Sequence, residues 1–275
     1  MKKGKSSFMK IAVLQSAYIG INYNRLDYYI RACKLKDVKV VLLGEYVLNR
    51  FFKELEKTPL NMIKEQSLYQ IKIVKSLSRK YNITIVAPVV TVQKDSPFKK
   101  IGIFFPNKTR YYTQQILIDY KHWNEKRYFS NNIECLNSPY TFVIDGFKFG
   151  VLGGFELHFN YFFDEFMKKN VDVVLLPTVS TFDSNQRWKE LIKSRAFLGN
   201  FYILRANRIG EFSDKNIKWV FYGESMCVNP NGEVESILSN NEELLVCEID
   251  KEYIKTCKKA WGFKRALLDR CEEKK

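Results

Sequence analysis

Residues able to carry nucleophilic or metal chemistry are sparse in this chain. It has six cysteines, Cys33, Cys135, Cys227, Cys247, Cys257 and Cys271, with no Cys-x-x-Cys pair, and two histidines, His122 and His158. No zinc-ligand spacing can be drawn from that set, so neither a metal nor a cofactor is expected. The thiols read as reduced, because a chain of 275 residues with scattered cysteines is no disulfide scaffold. A scattered reduced cysteine is ordinarily inert packing; Cys135, in the loop after Glu125, is the one that could approach a pocket. Neither histidine has an acidic neighbour in sequence to orient it as a base, which makes both pocket-wall or surface residues.

The elements that must position any site alternate between strands and helices. Strand-like runs, rich in β-branched residues, cover Lys10–Gln15, Val38–Leu43, Thr84–Pro88, Lys148–Leu152, Val171–Leu176 and Phe201–Ala206. Extended stretches follow at Ile101–Phe105, Gln115–Ile118, Ser225–Val228 and Leu244–Ile249. Helical periodicity marks Asn24–Leu35, Asn61–Tyr81, Asn160–Lys169 and Gln186–Leu198; in the third, Phe162, Phe163, Phe166 and Met167 share a face and read as core. No repeat, low-complexity tract or linker divides the chain, so residues 1–275 are expected to form one α/β domain with sheets layered between helices.

The formal net charge of +15 favours acidic partners, whether nucleic acid, an anionic membrane face or an acidic protein surface. Without a helix-turn-helix, RNP motif or basic heptad region, nucleic acid is an unlikely partner. No apolar run approaches the roughly 20 residues that span a bilayer. The basic Met1–Lys5 start leads into a segment broken by Lys10, Gln15 and Ser16, without the apolar core of a signal peptide. A cytoplasmic location is expected.

Several short stretches, in order, resemble the motifs of the nitrilase (carbon–nitrogen hydrolase) superfamily. They are Ile11-Ala12-Val13-Leu14-Gln15, Val40 to Tyr46 with Gly44-Glu45 in place of Pro-Glu, Tyr120-Lys121-His122-Trp123, and Glu125-Lys126-Arg127-Tyr128-Phe129. Phe149 to Glu156, Val171 to Thr178, Trp188 with Arg195-Ala196 and Asn200, Ala206-Asn207-Arg208-Ile209-Gly210 and Asn229 to Glu233 continue the series. The Glu125–Phe129 stretch is similar to the N-carbamoyl-amine hydrolase branch. Together they run from about Lys10 to Arg270.

The resemblance implies a four-layer α-β-β-α sandwich that pairs into an α-β-β-α-α-β-β-α homodimer. It also implies a Glu-Lys-Cys constellation, in which a thiolate attacks an amide, carbamoyl or nitrile carbon. Carried over, Glu45 matches the general base, Lys121 the oxyanion-stabilising cation, Glu125 a positioning glutamate and the Phe155 N–H a second oxyanion donor. Phe155, Glu156 and Tyr128 would line the binding pocket. The nucleophile position falls on Gly154, which has no side chain to form an acyl-enzyme. The leading expectation is therefore a catalytically inactive scaffold, chaperone or assembly factor. The alternatives are a hydrolase with an atypical nucleophile, such as water deprotonated by Glu45, and a sensor binding a small amide or carbamoyl ligand.

Overall fold

Two mixed sheets lie face to face because alternate residues of their strands are apolar on the inner side. The computed structural model describes residues 7–21, 23–214 and 217–272; the Met1–Lys5 segment lies outside them. In chain order the strands are β1 (Phe8–Gln15), β2 (Val40–Leu43), β3 (Thr84–Gln93), β4 (Ser96–Phe104), β5 (Thr109–Thr113), β6 (Asp119–Tyr120), β7 (Trp123–Asn124) and β8 (Thr141–Ile144). Then come β9 (Phe147–Val151), β10 (Val173–Thr178), β11 (Tyr202–Asn207), β12 (Ile209–Asp214), β13 (Ile217–Tyr222), β14 (Met226–Val228), β15 (Val234–Ile237) and β16 (Glu243–Asp250). The helices are α1 (Tyr23–Leu35), α2 (Phe52–Leu55), α3 (Leu60–Tyr81), α4 (Glu125–Tyr128), α5 (Asn160–Lys168), α6 (Asn185–Gly199), α7 (Lys251–Trp261) and α8 (Phe263–Glu272).

One six-stranded sheet runs β16-β1-β2-β3-β4-β5, the other β15-β14-β11-β10-β9-β8. The central strands β1, β2 and β3 are parallel, as are β9, β10 and β11. Ile11, Val13, Val40, Leu42, Ile101 and Ile103 of the first sheet meet Phe149, Val151, Val173, Leu175 and Leu204 of the second in one inner core. The opposite-facing Leu14, Val41, Leu43 and Ile85 pack under Leu26 and Ile30 of α1 and Val74 and Leu77 of α3. Val174, Leu176 and Ile203 are covered likewise by Phe162 and Phe166 of α5 and by Ile192 and Ala196 of α6. Central strands buried on both faces read as continuous apolar runs, which is why they are legible in sequence. The result is the expected α-β-β-α layering.

Helix ends follow local chemistry. α3 stops at Asn82, left-handed at φ 53°, whose N–H reaches back to the Ser78 and Arg79 carbonyls. α7 starts at Asp250, whose side chain accepts from the Glu252 N–H.

One expected strand is absent: Gln115–Ile118 forms no ladder. The Gln115 N–H donates instead to the Glu156 carboxylate at 2.6 Å, and a carboxylate partner offers no continuing strand. No helix among the described residues is long and apolar enough to cross a membrane.

Candidate functional site

At one end of the sandwich three charged side chains meet out of contact with water. Glu45 follows β2, its N–H bonded to the Thr178 carbonyl at 3.1 Å, so it sits where the ends of β2 and β10 approach each other. Gly44 allows an equally close approach to the end of β11: a Cβ there would lie 3.1 Å from the Arg208 nitrogen and 3.2 Å from the Ala206 oxygen. Glu125 opens α4 and is fully buried. Between them is Lys99, whose Nζ lies 2.8 Å from Glu45 Oε2 and 2.9 and 3.0 Å from the two Glu125 oxygens.

Lys99 replaces the lysine expected from the motifs. Lys121 is exposed on the loop between β6 and β7, outside this cluster. Lys99 reaches the site because β4 alternates: Pro97, Lys99, Ile101 and Ile103 are buried, and Ile101 and Ile103 belong to the inter-sheet core. Its backbone is clamped by Asn131, which accepts the Lys99 N–H at 2.9 Å and donates to the Lys99 carbonyl at 2.7 Å. The signal was present in sequence as a lysine two and four residues before inward isoleucines.

Burial pushes the Glu45 carboxyl above the usual range; Lys99 opposes that shift and the Glu125 charge adds to it. Lys99 is held above the ordinary lysine value: desolvation works against its charge, and the two carboxylates outweigh it. The Tyr46 hydroxyl donates to Glu125 Oε1 at 2.5 Å and is raised well above the phenol range, first by burial. Tyr46, Phe51, Trp123, Trp219 and Phe221 belong to one aromatic cluster packed beside the triad, with Phe51 edge-on to Tyr46 at 5.5 Å. Lys99 and Glu45 are 4% and 3% exposed. The triad is sealed.

The elbow after β9 supplies one further donor. Gly154 begins a 3₁₀ turn to His158, and its N–H donates to Glu45 Oε1 at 3.0 Å. Glu156, expected as a pocket residue, instead faces inward and locks the turn. It accepts from the Gly153 N–H at 2.7 Å, the Gln115 N–H at 2.6 Å and the Tyr112 hydroxyl at 2.9 Å. Burial raises its pKa to about 7 despite those donors.

Phe155 points the other way, into a cavity of about 370 Å³ that it shares with Tyr120, His122, His158, Phe182 and Trp188. Neither Tyr128 nor any triad residue lines that cavity; Tyr128 packs on Phe129 at 4.7 Å instead. His158 Nδ1 lies 2.9 Å from the Phe155 carbonyl, and because a carbonyl only accepts, Nδ1 carries the proton. Cys135 is exposed and lines neither the cavity nor the triad. Among the described residues no cluster of metal-ligating side chains occurs.

The Ala206-Asn207-Arg208 motif is a brace. Asn207 Oδ1 accepts from Thr178 Oγ1 and the Ser180 N–H, both at 2.8 Å, while its amide donates to the Gly223 carbonyl at 2.6 Å. Arg208 donates to the Tyr46 carbonyl at 3.1 Å, and burial lowers its pKa to about 10.

Comparison with known proteins agrees with this architecture. A Helicobacter pylori carbon-nitrogen hydrolase superposes with TM-score 0.82 at 18% identity, covering 94% of each chain. An amidase from Nesterenkonia sp. superposes with TM-score 0.74 at 18% identity, covering 98% of this chain and 97% of that one. Rice N-carbamoylputrescine amidase is 20% identical over 95% of this chain and 92% of its own length. The Carbon-nitrogen hydrolase profile matches residues 10–259, and the chain belongs to that family.

Proposed function

We propose that this chain is a carbon-nitrogen hydrolase relative without the family's thiol reaction, in which Gly154 stands at the nucleophile position. It acts by binding, as a scaffold, chaperone or assembly factor. The carrying observation is the Gly154 N–H donating to Glu45 Oε1 at 3.0 Å. The surroundings support it: a Cβ on Gly154 would already lie 3.1 Å from the Pro177 carbonyl oxygen and 3.2 Å from Thr178 Cγ2. Covalent acyl transfer requires a nucleophilic side chain. Losing it typically costs on the order of 10⁶ in rate. Glu45 and Lys99 then persist as a buried ionic brace, since removing one member of such a set strands the others. A single domain, a homodimer, a cytoplasmic location and a partner with an acidic surface, matched to the +15 charge, belong to the same proposal.

The test is ammonia release from amides and N-carbamoyl amines by the purified protein and by Glu45→Gln. No difference between the two is expected. Ammonia that disappears with Glu45 would instead support the second reading, a hydrolase using water deprotonated by Glu45. That reading rests on the raised pKa of Glu45 and requires water to reach a carboxylate whose two oxygens already accept from Gly154 and Lys99. Affinity purification under mild conditions tests the scaffold role: a near-stoichiometric acidic partner is expected, and a bare homodimer counts against it.

A further inference from the structure

Six of the rings that wall the cavity beside the elbow form an unbroken series of contacts. Phe182 meets His122 at 5.7 Å, His122 meets Tyr120 at 6.2 Å and Tyr120 meets Phe155 at 5.8 Å. Phe155 then meets His158, and His158 meets Trp188, each at 5.3 Å. The rings come from separate segments of chain, so only the fold assembles them. Such a wall suits a flat apolar ligand.

Arg187 belongs to the cavity lining, and none of the described lining residues is acidic. An amine entering here would find no carboxylate to meet its charge.

We propose that this cavity binds an aromatic carboxylate, with its ring among the aromatic side chains of the lining and its charge met by Arg187. The inference goes beyond the reading of the triad and does not depend on whether Glu45 turns over a substrate.

Binding of phenylacetate, 2-phenylethylamine and phenylacetamide to the purified protein, measured by calorimetry, tests it. Phenylacetate is expected to bind at least about tenfold more tightly than the amine, the ratio one charge-assisted hydrogen bond provides. Arg187→Gln, an exposed helix substitution that leaves the core untouched, should weaken phenylacetate about tenfold. Absence of phenylacetate binding, an amine that binds as tightly, or unchanged phenylacetate affinity in Arg187→Gln would each overturn the proposal. Ammonia from phenylacetamide would overturn the non-catalytic reading of the triad alone, leaving the cavity to the carboxylate measurement.

Discussion

Lys99 lies against both carboxylate oxygens of Glu125, at 2.9 and 3.0 Å, although the two residues are 26 apart in sequence and belong to different elements. Glu45 takes the remaining direction at 2.8 Å. Two acidic groups around one ammonium, all nearly inaccessible, make Lys99 the keystone of that end of the sandwich.

Lys99→Met should therefore destabilise the protein by about 3–5 kcal/mol, because it leaves two buried carboxyls without their counter-ion. Lys121→Met, at an exposed loop position, should stay within about 0.5 kcal/mol of the parent. Urea unfolding of both variants checks this; equal effects would mean that Lys99 is not the buried partner.

At the elbow, a side chain on residue 154 has little room. Gly154→Ala places a carbon 3.3 Å from Glu45 Oε1 as well as near Pro177 and Thr178, and overpacking of that kind costs about 1–3 kcal/mol. A thermal midpoint equal to the parent's would show that the elbow yields. Gly154→Cys should be destabilised similarly, and its thiol should react slowly with iodoacetamide, since the site is enclosed.

Glu156 makes stability depend on pH in a definite direction. Its pKa is about 7 in the fold against 4.5 for the free side chain, so between those values the native state holds a proton that the unfolded chain has released. Its contribution is complete below about pH 4.5 and is lost as pH rises towards 7, amounting to about 3 kcal/mol across that window. Glu156→Gln should flatten this part of the stability profile relative to the parent. Parallel profiles for the two proteins would contradict the assignment.

Arg205 is fully buried, with Nε on Thr178 Oγ1 at 3.0 Å, Nη2 on the Tyr222 hydroxyl at 3.2 Å and Nη1 unpartnered. Its guanidinium faces the Trp188 and Tyr222 rings at 5.2 and 5.5 Å. Lysine is more strongly hydrated and lacks the planar fork, so Arg205→Lys should be less stable than Arg205→Met by about 1 kcal/mol or more. The reverse order, in matched denaturation curves, would refute this account of the site.

The sequence by itself determined the layered fold. Central strands such as Val40–Leu43 and Val173–Thr178 are buried on both faces, and uninterrupted apolar runs announce that burial. Ordered motifs also drew out Glu45 and Glu125, which the fold brings together around Lys99, and helical spacing drew out the aromatic face of Asn160–Lys168. Only the tertiary structure decided which lysine joins the carboxylates. A lysine on an alternating strand can face either side, and the choice follows from packing Ile101 and Ile103 into the inter-sheet core, which carries Lys99 inward with them. The same holds for Phe155 and Glu156. They are neighbours in sequence, but the turn sends one ring into the cavity and the other side chain to the backbone N–H groups of Gly153 and Gln115. Gly153 belongs to the same turn, but Gln115 lies on a distant segment, and no local pattern records where the fold brings it.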